Sequence, residues 1–154
     1  MGDSVWRDRG RVMHTPSETI KISIDMDVPL LRVADLICEA FEGGIGYWAK
    51  IVKYDRPKEL KYTIDTLSNF SGDKNVYKHI DYPLNIGGAV YIEEYDDGQN
   101  GTVHKLNWES IVNGLSIMHA KYPRHFGDWI AENDDATTGD VFMQCCLLGE
   151  VVYG

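Results

Sequence analysis

The stretch from Asn107 to Pro123 restricts the architecture of this chain more than any other feature. Asn107 can cap a helix, Ile111, Leu115, Met118 and Tyr122 recur at i, i+4, i+7 and i+11, and Pro123 then blocks continuation. A helix with a single apolar stripe must bury that stripe against a sheet or against other helices. Directly before it, residues 89–95 and 102–106 read as a β-hairpin around the turn chemistry of Asp96-Asp97-Gly98-Gln99-Asn100-Gly101. These elements predict an α+β fold, a small antiparallel or mixed β-sheet packed against three to four helices.

The remaining elements follow from local patterning. Ile20, Ile22, Ile24 and Met26 alternate with Thr19, Lys21, Ser23 and Asp25, the period-two signal of a half-buried strand that would open the fold. Asp27 can then cap a helix with Pro29 in its first turn and Leu30, Val33, Ile37 and Phe41 on one stripe. Gly43 and Gly44 end that helix, and a strand is expected through Tyr47, Trp48, Ala49, Ile51 and Val52. Residues 55–84 read as a long connection with one candidate short strand at 61–64. A short helix over residues 125–131 precedes a last helix with Val141, Cys145 and Leu148 on one line, closed by Gly149. Residues 150–153 are apolar enough to dock as an edge strand or under a neighbouring chain. An exposed sheet edge together with this ending predicts a homo-oligomer, a cyclic dimer or a higher symmetric form. Residues 1–16 carry mixed charges without a period and read as a flexible N-terminal arm, leaving residues 17–154 as a single α+β domain.

Charge narrows the function classes. Fifteen Lys and Arg stand against 24 Asp and Glu among 154 residues, a formal charge of −9, so general nucleic-acid binding is disfavoured and a local pocket for a small anion is not. No apolar run reaches the ~18 residues of a membrane helix, and the charged N-terminus lacks a signal-peptide core, so a cytoplasmic protein without membrane association is expected. The three cysteines, Cys38, Cys145 and Cys146, have neither a zinc-ligand nor a CxxC spacing. Cys145 and Cys146 read as small buried hydrophobes. The five histidines show no tight ligand spacing, and no catalytic or nucleotide fingerprint is present, so no metal, cofactor or catalytic residue is assigned.

Four groups of residues are candidates for ligand binding. Glu42 and the Gly43/Gly44 turn stand beside Tyr47 and Trp48, so a carboxylate and two rings suited to stacking a base share one segment. The order helix, glycines, strand is the reverse of a phosphate loop, which leaves the glycines as a helix cap or as a place where a ligand approaches the backbone. His119 borders the helical stripe as either a core histidine or a base. His125 and Trp129 are i, i+4 neighbours on the short helix, with Arg124 beside them, forming a pocket wall or an anchored surface helix. Asp140 and Gln144 are likewise i, i+4 on the last helix and face either solvent or a site.

The segment Phe41-Glu42-Gly43-Gly44-Ile45-Gly46-Tyr47-Trp48 and the ending over residues 140–154, from Asp140-Val141-Phe142 to Val151-Val152-Tyr153-Gly154, resemble a group of small phage and prophage accessory proteins. The likeness spans residues 18–54 and 107–154. It implies an anti-defence context, in which such proteins sequester nucleotide immune signals of the host, and hence a non-catalytic sponge in the host-cell cytoplasm. Arg124 and His125 would supply charge for a phosphate, and Tyr47 or Trp48 a stacking face. Two other classes stand beside it. One is a hydrolase or lyase of such a signal, with His119 or His125 as general acid/base assisted by Glu42 or Asp140. The other is an acidic inhibitor that meets a host protein through Glu93-Glu94, Asp96-Asp97 and residues 132–135.

Overall fold

The computed structural model describes residues 18–69, 75–96 and 101–154, so the N-terminal arm expected over residues 1–16 and the tip of the hairpin lie outside the described residues. Helix α1 (Leu30–Glu39) starts from Pro29, whose φ of −60° is already helical, and not from Asp27, which is exposed two residues upstream. It buries Val33, Ala34, Leu36 and Ile37. The helix then widens into a π-type turn, Ala40–Gly44, closed by the Ile45 N–H donating to Ala40 O at 2.9 Å. Tyr47 and Trp48 sit in the following turn, and strand β1 (Ala49–Asp55) begins one residue later.

Strands β2 (Ala89–Glu94) and β3 (Val103–Leu106) form the expected hairpin, and the sheet has the antiparallel order β1-β2-β3. Ile51 faces Ile92, which faces His104; a bulge at Val52 interrupts the β1–β2 register. Val90, Ile92 and Leu106 are fully buried on the helix-covered face. On the other face the Lys53 and Lys105 ammonium groups lie over the Tyr91 ring.

The connection between β1 and β2 contains no strand at residues 61–64. Thr63 caps a single helical turn, α2 (Ile64–Leu67), and a second turn, α3 (Lys78–Asp81), runs into the 3-10 turn Tyr82–Leu84. Two buried side chains replace a strand ladder here. Asp81 accepts from the Ile64 and Tyr77 N–H groups at 2.8 and 2.7 Å, and the Asn85 amide exchanges hydrogen bonds with the Tyr62 N–H and carbonyl.

Helix α4 (Trp108–Lys121) carries a capping box between Asn107 and Ser110, and Pro123 opens α5 (Pro123–Ile130). Helix α6 (Ala136–Leu148) has a second capping box, Asp135 with Thr138, and ends at Gly149 with φ 78°. It is buried continuously from Thr138 to Cys145, so α1, the π turn and α4 close around it. The approach is as near as backbone allows: a Cβ on Gly139 would lie 2.5 Å from Ala40 N, and one on Gly114 of α4 would lie 2.2 Å from Cys146 Sγ. Among the described residues there are thus six α-helices, four of eight residues or more, on one three-stranded antiparallel sheet.

Both chain-end segments expected as strands are irregular. Residues 19–26 have no regular secondary structure and no backbone partner among the described residues, with Ile20 86%, Ile22 69%, Ile24 74% and Met26 51% exposed. The period-two pattern is real, but among the described residues no strand lies alongside to complete it. Residues 150–153 form no strand because side chains, not a ladder, bind their backbone.

Candidate functional site

The best-defined polar constellation is assembled by three elements: the turn before β1, the middle of α6 and the C-terminal segment. Asp140 sits on the second turn of α6, where its carboxylate accepts from the Trp48 indole at 2.8 Å, from the Tyr47 hydroxyl at 2.6 Å and from the Gln144 amide at 3.0 Å. The i, i+4 spacing that places Asp140 and Gln144 on one face is therefore used for a direct contact. Gln144 is fully buried, and its Oε1 accepts from the Val152 and Tyr153 N–H groups at 2.7 and 2.9 Å while its amide also donates to Tyr153 O. The pair faces neither solvent nor an open cavity.

Trp48 is only 2% exposed, and the Tyr153 ring stacks on it with centroids 5.1 Å apart and planes 12° from parallel. The Tyr153 hydroxyl donates to Glu94 Oε1, whose other oxygen pairs with His104 Nε2 at 2.7 Å. The hydrogen bonds from Tyr153 and His104 hold the Glu94 carboxyl below its usual range, and the same contact raises the Tyr153 phenol. Tyr122 accepts from the Val151 N–H at 2.7 Å, and Lys121 Nζ reaches Gly149 O at 3.2 Å. Residues 149–153 thus form a strap across Trp48. Tyr47 stands at the edge of this arrangement, half exposed, its phenol pushed up to about 12 by desolvation and by the Asp140 carboxylate.

The other predicted residues are placed elsewhere. Glu42 is exposed at the π turn and accepts from the Cys38 thiol at 2.7 Å. Gly44 is buried where α6 crosses, with Ala136 O 2.9 Å from the position of a Cβ, so its close neighbour is protein backbone. Gly43 is exposed beside Ala136. His119 is exposed, its ring edge-on to Phe126 at 4.9 Å, and Phe126 in turn packs on Trp129. Trp129 is fully buried, donating its indole N–H to Arg32 O, so it anchors α5 to α1. Arg124 is exposed and His125 half-buried on that same helix. The contacts join Tyr47, Trp48, Asp140 and Gln144 into one network, whereas His119, Arg124, His125 and Trp129 belong to the α4–α5 corner.

Residues that the sequence did not nominate for ligand binding complete the network: Tyr153, His104, Tyr122 and Glu94, the last singled out only as part of an acidic surface. Their signal was weak, because Glu94 and Tyr153 are 59 positions apart and no local spacing announces the pairing. A second unforeseen group runs along α1, from Arg32 in its first turn to Glu39 at its end. Arg32 donates to Asp134 at 2.8 Å and to Trp129 O. Glu39 has a carboxyl oxygen buried without a donor, and burial together with the neighbouring Asp134 carboxyl pushes its pKa up to about 8. Asp134 is held down despite burial by hydrogen bonds from Glu39 and Arg32.

Among the described residues no group of three or more His, Cys, Asp and Glu side chains is placed to hold a metal ion, and no helix is long and apolar enough to cross a membrane. Comparison of the chain with protein-family models, with curated proteins and with solved structures found no match.

Proposed function

We propose that this protein is a phage accessory protein that binds and sequesters a nucleotide-derived small molecule, a host immune signal, without chemically altering it. The observation that carries the reading is the Tyr153 ring lying parallel on Trp48 with its hydroxyl on Glu94. A planar ring with a hydrogen-bonding edge already occupies that place, and a nucleobase has the same shape and edge chemistry. The ligand enters by displacing the strap, which is held by side chains and no ladder. Gln144 and Glu94, released from residues 152–153, then read the base edge, and Lys121, released from Gly149, meets a phosphate. Self-association into a homo-oligomer in the host-cell cytoplasm belongs to the same reading.

The state of the thiols speaks against a cysteine nucleophile. Burial pushes Cys38 up to about 12 and Cys145 up to about 11, with the Glu42 carboxylate adding to the effect at Cys38, which is the opposite of an activated nucleophile. The test is a thermal-shift screen of cyclic mono- and dinucleotides and ADP-ribose derivatives, followed by recovery of the ligand after heat denaturation. A ligand at a hundred times its Kd stabilises by about 2.7 kcal/mol and comes back intact. The Tyr153→Ala variant binds it more tightly, because the competing ring is gone. Absence of any shift across the screen defeats the proposal, and an altered ligand replaces it with the hydrolase or lyase reading.

A further inference from the structure

Two features left over by the ligand site fit each other. The first is the outer edge of β1. This strand pairs with β2 on one side only, and beyond the Ala49 N–H, which donates to Ile45 O at 3.0 Å, no backbone hydrogen bond among the described residues joins its other side to another segment. Beside that edge lies a recess of about 300 Å³ lined by Phe41, Ile45, Ala49 and Ile51, with Lys50 and His79. Ile51 shares the helix-covered face of the sheet with Ile92, so the recess is where that face would continue if a fourth strand were present.

The second feature is the segment of residues 19–26. It has no regular secondary structure, is exposed throughout and has no backbone partner among the described residues, and its apolar side chains, Ile20, Ile22, Ile24 and Met26, fall on alternate positions. That is the pattern of a strand with one buried face, and its length matches the seven residues of β1. Its other row, Thr19, Lys21, Ser23 and Asp25, is polar, as the outer face of β1 with Lys50 and Lys53 requires. Those lysines and the bulge at Val52 guard the edge against indiscriminate pairing, and Asp25 gives the segment a charge they attract.

We propose that residues 19–26 of one protomer add to the free β1 edge of a second copy of this chain as a fourth strand, with their isoleucine row seated in the recess beside Ile51. The acceptor is a second copy because of where the segment is rooted. It enters α1 at the end fastened to α5 by the Arg32 and Trp129 hydrogen bonds, whereas β1 follows from the other end. A ten-residue helix separates these ends by about 15 Å, and the three connecting residues 27–29 reach about 10 Å. Reciprocal donation closes the pair about a two-fold axis, and onward donation closes a larger ring. This interface rests on the homo-oligomer of the reading above and not on its ligand, so a failed nucleotide screen leaves it standing.

The test combines native mass spectrometry with hydrogen exchange on the full chain at tens of micromolar, for the wild type and for Ile22→Pro. Residue 22 is exposed and has no backbone partner among the described residues, so proline there removes a ladder donor without touching the core. Ile24→Asp repeats the test through the side chain. The expected result is an assembly of two or more 17.5 kDa chains, with amides of residues 19–26 and 50–55 exchanging at least about tenfold more slowly than in the dilute protein, and loss of both properties in the variants. A single-chain mass with free exchange overturns the proposal, as does a single-chain mass with residues 19–26 protected, which means docking on the same chain. An assembly in which residues 19–26 exchange freely, or one that survives Ile22→Pro and Ile24→Asp unchanged, places the interface elsewhere and overturns it equally.

Discussion

The N-terminal segment of residues 19–26 and the C-terminal strap of residues 150–153 have similar sequence character and opposite fates. Both are short and apolar, and neither forms a strand within the chain. The strap is nevertheless fixed, because Gln144 accepts two of its N–H groups, Tyr122 accepts a third, and Trp48 and Glu94 take the ring and hydroxyl of Tyr153. The N-terminal segment meets no such acceptors in the described structure and leaves its isoleucines in water. Apolar side chains therefore do not by themselves immobilise an extended segment. A partner for its backbone does, and whether that partner is a side chain, a strand or another copy decides the segment's role.

Breaking the fixed end gives the largest effects. Asp140→Ala removes the shared acceptor of Trp48, Tyr47 and Gln144 and leaves a buried indole N–H unpaired, so unfolding in urea is expected to show a loss of about 3 kcal/mol. Asp140→Asn, which keeps one acceptor oxygen for the indole, recovers part of that loss. Gln144→Leu keeps the volume and removes the acceptor for the strap, with an expected loss of about 2 kcal/mol. Its distinguishing readout is local: the amides of residues 151–153 exchange as fast as those of an unstructured chain while α6 stays protected. Retention of their protection in Gln144→Leu would show that ring stacking alone holds the strap, which removes the contrast between the two ends.

The legible parts of the fold were those specified within a few residues. Asn107 and Pro123 bound α4, Gly149 closes α6 in a left-handed conformation, and the hairpin follows from its turn chemistry. Pairing over long separations was not legible. The alternation at Ile20 to Met26 predicted a half-buried strand and the structure has an exposed irregular segment there, because sequence carries no register and could not say that no neighbouring strand stands beside it among the described residues. Lys61 to Ile64 failed for a related reason: Asp81 and Asn85 satisfy that backbone from afar and free it from strand geometry. At the site, the spacing of Asp140 and Gln144 and the adjacency of Tyr47 and Trp48 did nominate residues that meet. The rings of Trp48 and Trp129 were also nominated, but each is buried under its own hydrogen-bond partner and neighbours, a burial that composition cannot assign.

A smaller effect is expected at the far end of α1, the helix that the free segment precedes. Glu39, pushed up to about 8 by burial and by Asp134, binds its proton more tightly in the folded chain than in the unfolded one. Its contribution to stability is then fully present below the ordinary glutamate value and is lost as the pH rises through about 8. Glu39→Gln imitates the protonated form, so its Tm should exceed that of the wild type at pH 9 and converge with it toward pH 4. Allowing for solvent screening at a half-buried site, the difference is on the order of 1 kcal/mol, or about 3 °C. Equal Tm values across that range would mean that Glu39 is ionised without cost and that Arg32 neutralises both carboxylates.

The smallest effect sharpens the comparison most. Ile24→Asp, measured by urea unfolding at a concentration low enough for single chains, is expected to change stability by less than about 0.5 kcal/mol, as for an exposed side chain without contacts. Any hydrophobic contribution of Ile24 then appears only as the concentration is raised, since association adds stability by mass action and the variant does not associate. A wild-type Tm that climbs with concentration beside an Ile24→Asp Tm that stays flat separates a segment waiting for another chain from one that is merely unstructured. If both stay flat, the isoleucine row has no partner in a second copy, and the strap alone represents how this chain secures an end.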